Sequence, residues 1–432
     1  MSFLFDFLSV SNRFLWNGPL LILLLFSHLF FTIRLGFIQR RIPSALRLSA
    51  SGEKKQGFRS LTTALAATLG TGNIVGVSSA VALGGPGAVF WCWVTGLLGM
   101  ATAYAECYLC MRYRQKDENH DLRGGIMYVL EHGVKCKTAG KIYALLLLIA
   151  SFGIGCSTQA GTVTETVSAL TDVTPAVTGL LLVLAVGYVI LHGSSAITKL
   201  CSILVPAMAC LYLLACLVIL ILNHTYLFPA LRLIVTSAFA PTAAIGGIAG
   251  GSFLFSARYG IARGLFTNEA GLGTAPLAFT GDKESSPEKA ALLSMSAVFW
   301  DTVILCALTG ILIVSSLLRN PALAETYTAT TLTSAAFSLL PFGEVLLSIS
   351  LISFAYATLI GWSYFGAQGV RYLFGNQSLK TYRLCYLGMI FIGSVLSLPL
   401  IWEMTDFINA CMALPNLFAL FLLGREIRPP KS

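Results

Sequence analysis

A hydrophobic run from about Leu61 to Leu83 is long enough to cross a bilayer, yet its middle is polar. It reads Ala66-Ala67-Thr68-Leu69-Gly70-Thr71-Gly72-Asn73-Ile74-Val75-Gly76. Each glycine weakens a helix by roughly 1 kcal/mol relative to alanine. Free backbone groups in hydrocarbon cost several kcal/mol more, so a break survives only inside protein or beside a watery cavity. Once broken, the second half-helix offers free N–H groups and a positive dipole end, which suit a carboxylate. The first half ends in free carbonyls, which suit a small cation. The competing explanation is a close helix contact through small residues, which needs neither Thr71 nor Asn73.

Composition agrees with a membrane solvent. The chain is 56% hydrophobic and 11% charged, against roughly 25% charged in soluble domains. The net charge of +9 does not indicate nucleic acid, because the basic residues segregate. On the expected spans, all Lys and Arg except Arg13, Arg232 and Arg319 fall on one face, which the positive-inside rule makes cytoplasmic. The N-terminus is then outside, the C-terminus cytoplasmic, and the first apolar run is a retained span. Cys107 and Cys110 form a lone C-x-x-C on an expected helix and read as small buried hydrophobes.

The expected fold is all-α and polytopic, with about eleven spans. The first runs from about Phe14 to Phe37, and the broken one follows. The third covers Ala88 to Met111, the fourth Ile142 to Leu170, and the fifth and sixth Ala176 to Leu222. Within 240 to 280, either Gly246–Gly251 or Thr267–Gly273 could be an unwound centre. The eighth span, Leu292 to Leu317, carries Asp301. A short capping helix is expected between Thr326 and Ser338, and a short amphipathic one near Gly125 to His132. Glu106 and Glu165 are expected near span ends. Without the first span, ten remain, divisible as five plus five, each half opening on a broken segment. That is the signature of an inverted-repeat transporter with its site at the midplane. The expected division is an N-terminal helix and linker (1–56), a core (57–425; repeats about 57–222 and 230–425) and a tail (426–432).

Thr68–Gly76, Leu83–Trp91 and Arg263–Gly273, with Ile360–Tyr364 and Phe299–Thr302, resemble the alanine/glycine:cation symporters, also called the sodium:alanine symporter family. The resemblance covers about residues 57 to 425. It implies the inverted-repeat fold of the amino-acid–polyamine–organocation superfamily and coupled uptake of a small neutral amino acid, alanine or glycine, with sodium. A proton-coupled carrier and an uncoupled facilitator for the same substrates are the alternatives.

Carried over residue by residue, the resemblance places the substrate carboxylate on Thr71, Gly72 and Asn73. Gln159, Asn268 and Trp362 shape the pocket, and sodium lies among the carbonyls of Ala66 and Leu69 and the hydroxyl of Thr358. The family often carries a second hydroxyl just before that threonine, where this chain has Ala357. Asp301 is a carboxylate inside a span, either an ion or proton site or an acceptor holding the broken helices together. No cofactor beyond the coupling sodium is expected. The expected partners are the amino acid, sodium and the lipid bilayer of a bacterial-type plasma (inner) membrane. The histidines fall mostly at span ends and loops, and no H-E-x-x-H or G-x-S-x-G is present, so an enzyme is not expected.

Overall fold

A computed structural model describes residues 2–16, 18–50, 55–117, 120–239, 253–396 and 399–430. Among them the chain is almost wholly helical. The exception is a two-residue hairpin, β1 (Gln115–Lys116) against antiparallel β2 (Leu122–Arg123).

The N-terminal part holds more helix than the sequence implies. α1 (Ser2–Trp16) precedes the first span, α2 (Pro19–Arg34), and a basic 3-10 turn (Ile38–Arg41) leads to α3 (Ile42–Ala50). α1 lies against the C-terminal helix, where Asn12 Nδ2 donates to Glu403 Oε2 at 2.6 Å and Trp16 Nε1 donates to the Asp406 carbonyl at 3.1 Å. α2 packs on α6 (Gly87–Arg112).

The polar gap is broken as its composition dictates. α4 (Lys55–Thr68) stops, a 3-10 turn takes Thr71–Asn73, and α5 (Val75–Gly84) continues at a bend of 64°. After α6 the chain makes the hairpin, then α7 (Ile126–Tyr128) and a π-helical turn (Val129–Gly133). The expected amphipathic helix is therefore present but buried: Ile126, Met127, Val129 and Leu130 are fully enclosed. The fourth span is α8 (Lys137–Phe152) and α9 (Thr158–Leu170), joined by a π-helical turn (Gly153–Ser157). α10 (Pro175–Leu191), α11 (Ser194–Leu222) and α12 (His224–Phe239) close the first half. α12, not anticipated from sequence, packs on α6 and on the later helix Ala307–Arg319.

α13 (Phe253–Asn268) ends in the second break. Glu269, Gly271 and Gly273 take positive φ values of 53°, 99° and 77° before a 3-10 turn at Ala275–Ala278. The unwound centre described is thus 268–274, and the alternative glycine run 246–251 lies outside the described residues. α14 (Pro287–Val298), a π-helical stretch (Phe299–Cys306) and α15 (Ala307–Arg319) form the next span. α16 (Leu323–Thr326) and α17 (Leu332–Phe337) follow. α17 is the expected cap: the Leu332 amide donates to Ser78 Oγ at 2.9 Å and Thr333 Oγ1 to the Ile74 carbonyl at 3.1 Å, fastening it to α5. α18 (Gly343–Phe374), α19 (Leu379–Val395) and α20 (Pro399–Leu422) complete the chain.

Among the described residues, seven helical segments are long and apolar enough to cross a membrane, eight with the bent pair counted as one span. α10, α13 with its break, and α19 stand where the remaining expected spans fall. α18 meets α4 closely at Gly361, where a Cβ would stand 2.7 Å from the Ala67 nitrogen. This contact brings the middle of α18 to the first break.

Candidate functional site

At the first break the backbone leaves donors and acceptors unused. The Leu69 amide reaches back to Leu65 O at 2.7 Å and the Gly70 amide to Thr68 O at 2.8 Å. Beyond the turn, Asn73 N donates to Gly70 O at 3.3 Å and Ile74 N to Thr71 O at 3.2 Å. None of these bonds engages the amides of Thr71 and Gly72 or the carbonyls of Ala66 and Leu69.

The side chains around the gap then sort by element. Thr358, on α18, donates to its own Phe354 carbonyl at 3.0 Å and places Oγ1 3.5 Å from Leu69 O. That separation is on the order of that between neighbouring oxygens around a hard cation with bonds of about 2.4 Å. Gln159, on α9, donates to the Ile154 carbonyl at 3.2 Å, and its Oε1 accepts from Thr71 Oγ1 at 3.3 Å. The Ile154 carbonyl lies in the π-helical turn, whose widened register is where a helix carbonyl becomes available. Gly70 lies between the two: a Cβ there would be 2.9 Å from Thr358 Oγ1 and 3.8 Å from Gln159 Oε1. Gly72 faces the end of α13, with Thr267 Cγ2 and the Phe266 ring 3.1 and 3.5 Å from its Cβ position. Thr71, Gly72, Gln159, Thr358 and the backbone of Leu69 are therefore brought together.

Asn73 is turned the other way. Its Oδ1 accepts from the Gly70 amide at 3.1 Å, and its Nδ2 donates to Asp301 Oδ1 at 2.7 Å. Asp301 Oδ2 accepts from Thr302 Oγ1 at 2.7 Å, and Thr302 Oγ1 stands 3.5 Å from Thr267 Oγ1. One chain of polar contacts thus runs from the first break through Asp301 to the end of α13. Of the two roles open for Asp301 in the sequence, its contacts are those of the acceptor that holds the broken helices.

The second break has its own acceptor. Glu106, in α6, is 1% exposed and accepts with one oxygen from Gly271 N at 2.8 Å, Gly273 N at 3.1 Å and Asn416 Nδ2 at 2.5 Å. Glu106 lies six residues before Arg112, the last residue of α6, near the span end as expected, but it is buried and bonded there. A carboxylate within an apolar helix needs a reason, and that was the available signal. Glu165 is exposed, as expected. Glu269 takes a left-handed conformation that costs about 1–3 kcal/mol in a non-glycine residue, and its carboxylate accepts from Thr274 Oγ1 at 2.5 Å.

Trp362, one turn beyond Thr358 on α18, is fully enclosed against Gly155, and its indole N–H has no partner. Asn268 Oδ1 accepts from the Ala270 amide at 3.0 Å. Its Nδ2 is also unpartnered and lies 3.7 Å from the Cβ position of Gly99, where His28 Nε2 comes to 3.5 Å. Asn268 therefore points toward α6 and away from Thr71. His28, inside the first span, is buried in α2 and bonded to Thr102 Oγ1 at 2.7 Å.

Arg258 and Arg263 require a correction. Counted from sequence with the cytoplasmic majority, they line the same cavity as Arg13 and so share its side. The cause is the second break: α13 approaches 268–274 from the side on which α5 ends, as the contact between Gly84 and Tyr259 shows.

The model of the sodium:alanine symporter family matches residues 1–429. The sodium/alanine symporter AgcS of Methanococcus maripaludis is 43% identical over 436 residues, covering 97% of this chain and 95% of that one. The probable sodium/glutamine symporter GlnT of Bacillus subtilis is 34% identical, covering 97% and 88%. Among solved structures, a Na+-coupled sialic acid symporter in a substrate-bound outward-open state superposes with a TM-score of 0.57 at 12% identity, covering 96% of this chain and 99% of that one. At that identity the likeness concerns the fold.

Proposed function

The chain belongs to the sodium:alanine symporter family, and from that premise we propose that it carries alanine or glycine across the membrane together with sodium. It is a multi-pass membrane transporter with the inverted-repeat fold. The observation that carries the finer reading is the pairing at the first break. Leu69 O and Thr358 Oγ1 stand 3.5 Å apart on one side, and the amides of Thr71 and Gly72, free of backbone acceptors, lie on the other.

In this reading sodium is held by the carbonyls of Ala66 and Leu69 and by Thr358. The substrate carboxylate lies at Thr71 and Gly72, at the positive end of α5. Each charge lowers the cost of holding the other in a low dielectric, which is the physical basis of coupling. Gln159 fixes Thr71, Trp362 supplies a buried indole N–H, and Asn73 holds the break open through Asp301. Asn268, turned toward Gly99 of α6, stays outside this pocket and supports the second break through the Ala270 amide. The glycines and the packing of Phe266 and Thr267 against Gly72 favour a small side chain. Both broken segments, one in each repeat (about 57–222 and 230–425), rearrange as one bundle rocks against the rest, with the N-terminus outside and the basic segment Arg40–Arg47 inside.

The test is uptake of radiolabelled alanine and glycine into proteoliposomes under an inward sodium gradient, with potassium as the control. Accumulation above equilibrium in sodium alone is expected. Equal uptake in both, stopping at equilibrium, would mean a facilitator, and accumulation driven by a pH gradient alone would mean proton coupling.

Thr71→Val keeps the shape of the turn and removes the hydroxyl bonded to Gln159. A neutral hydrogen bond is worth about 0.5–1.5 kcal/mol, so the KM for alanine should rise about 2–10-fold, with a smaller change in sodium half-saturation. An unchanged KM would remove Thr71 and Gln159 from the pocket.

A further inference from the structure

Outside the site just described, a cavity of about 280 Å³ lies between α1, α13 and α20. Its volume is close to the lower bound of about 300 Å³ for ligand pockets. Arg13, Arg258, Arg263, Glu403 and Asp406 line it, with Phe266 at its inner wall. Charges of both signs therefore face one small space.

Those charges do not neutralise one another by contact. Among the described residues, the ion pairs within 4.0 Å involve Arg112, Arg123, Lys137 and Lys283, and none involves these three arginines. Arg258 lies over the Tyr259 ring at 5.1 Å and Arg263 over the Phe266 ring at 5.9 Å. Glu403 accepts from Asn12, whereas Asp406 contributes only its backbone carbonyl, to Trp16. The Asp406 carboxylate and the Arg263 guanidinium face the cavity without a hydrogen-bonding partner in the chain.

The cavity also adjoins the central site. The Phe266 ring lies 3.5 Å from the Cβ position of Gly72, and the Arg263 stem lies 3.9 Å from that of Gly76 on α5. One aromatic ring separates the charged cavity from the first break.

A half-enclosed guanidinium and a half-enclosed carboxylate are best satisfied by a ligand carrying both complementary charges. An α-amino acid is such a ligand: its carboxylate takes the planar fork of an arginine and its ammonium a carboxylate. We propose that this cavity is an outer binding site that holds the zwitterionic head of the substrate, carboxylate on Arg263 and ammonium on Asp406, before it passes Phe266 to Thr71 and Gly72. Arg13 and Arg258 add a field that draws the carboxylate inward. The proposal rests on the amino-acid reading of the central site.

The experiment is equilibrium binding of radiolabelled alanine to the purified full chain in sodium, beside uptake kinetics in proteoliposomes. The wild type is expected to bind two alanines per chain. The Arg263→Gln, Asp406→Asn double variant is expected to bind one, with affinity within about threefold of the tighter wild-type site, and to show a KM for uptake raised about 3–10-fold at unchanged maximal rate. Asp406→Asn alone, nearly isosteric, gives the same readout should the double variant not purify as a single species. One alanine bound by both proteins, with equal KM, overturns the outer site and leaves the transport reading standing. No alanine bound by the wild type in sodium overturns both.

Discussion

Asp301→Ala should lower sodium-driven accumulation to about 3% of wild type or less, although residue 301 need not touch substrate or ion. In the native chain its two oxygens take Asn73 Nδ2 at 2.7 Å and Thr302 Oγ1 at 2.7 Å. Alanine removes both carboxylate acceptors in a fully enclosed place, leaving Asn73 Nδ2 only the residue-301 carbonyl at 3.2 Å and Cys306 Sγ at 3.3 Å. Each buried partner deprived of its acceptor costs about 1–3 kcal/mol, so the pair costs roughly 2–6 kcal/mol, or about 30- to 20,000-fold in the population of the competent arrangement. Asn73 also caps the Gly70 amide, so the loss is felt at the turn that presents Thr71 and Gly72. Asp301→Asn keeps an oxygen where Asn73 needs one and should retain a larger share of uptake and of thermal stability in detergent. An Asp301→Ala protein that accumulates alanine within twofold of wild type would dissolve the latch.

Gly70→Ala should raise the sodium concentration for half-maximal uptake by about tenfold or more, with a smaller effect on stability. The backbone at Gly70 has φ of −118°, open to any residue, so the effect is steric alone. The added methyl would stand 2.9 Å from Thr358 Oγ1, inside the distance at which neighbouring atoms must move. It would occupy the space between Leu69 O and Thr358, where the ion is proposed to lie. Thr358→Ala removes the hydroxyl and leaves the space, and should weaken sodium by a comparable factor. The double variant separates the two causes. Relief of the clash without recovery of the ligand should leave it no worse than the worse single variant. Sodium dependence unchanged in Gly70→Ala would move the ion elsewhere.

The first break was legible because its residues conflict with their surroundings: glycines, Thr71 and Asn73 inside an apolar run have few explanations in lipid. The second was legible only as two alternatives, since Arg258 and Arg263 made the preceding helix look like a loop on the wrong face. Sidedness from charge depends on knowing where a span reverses, and a break hides that point. The capping helix was legible from a polar stretch between long spans. α1 and α12 were not, being short helices flanked by spans of similar hydrophobicity. The partnership of Asn73 with Asp301 could not be read, because residues 228 apart in sequence meet only through the fold. Glu106 was passed over for its nearness to Arg112, yet it carries more hydrogen bonds to the second break than any other side chain described.

Glu106 also sets the size of the moving part. A single oxygen on α6 holds the amides of Gly271 and Gly273 and the Asn416 side chain of α20, and Asn416 in turn donates to the Gly271 carbonyl at 2.7 Å. Parting any of these from the others would strand several polar groups in hydrocarbon at once. α6, the second break and the C-terminal half of α20 must therefore travel as one rigid member. The joints of the machine are left to the places where the chain is not so tied: the turn at Gly70 and the widened helical turns at Gly153–Ser157 and Phe299–Cys306. A covalent bridge between α6 and α20 near Asn416 would then leave the transport cycle free, whereas one across Gly70 would lock it.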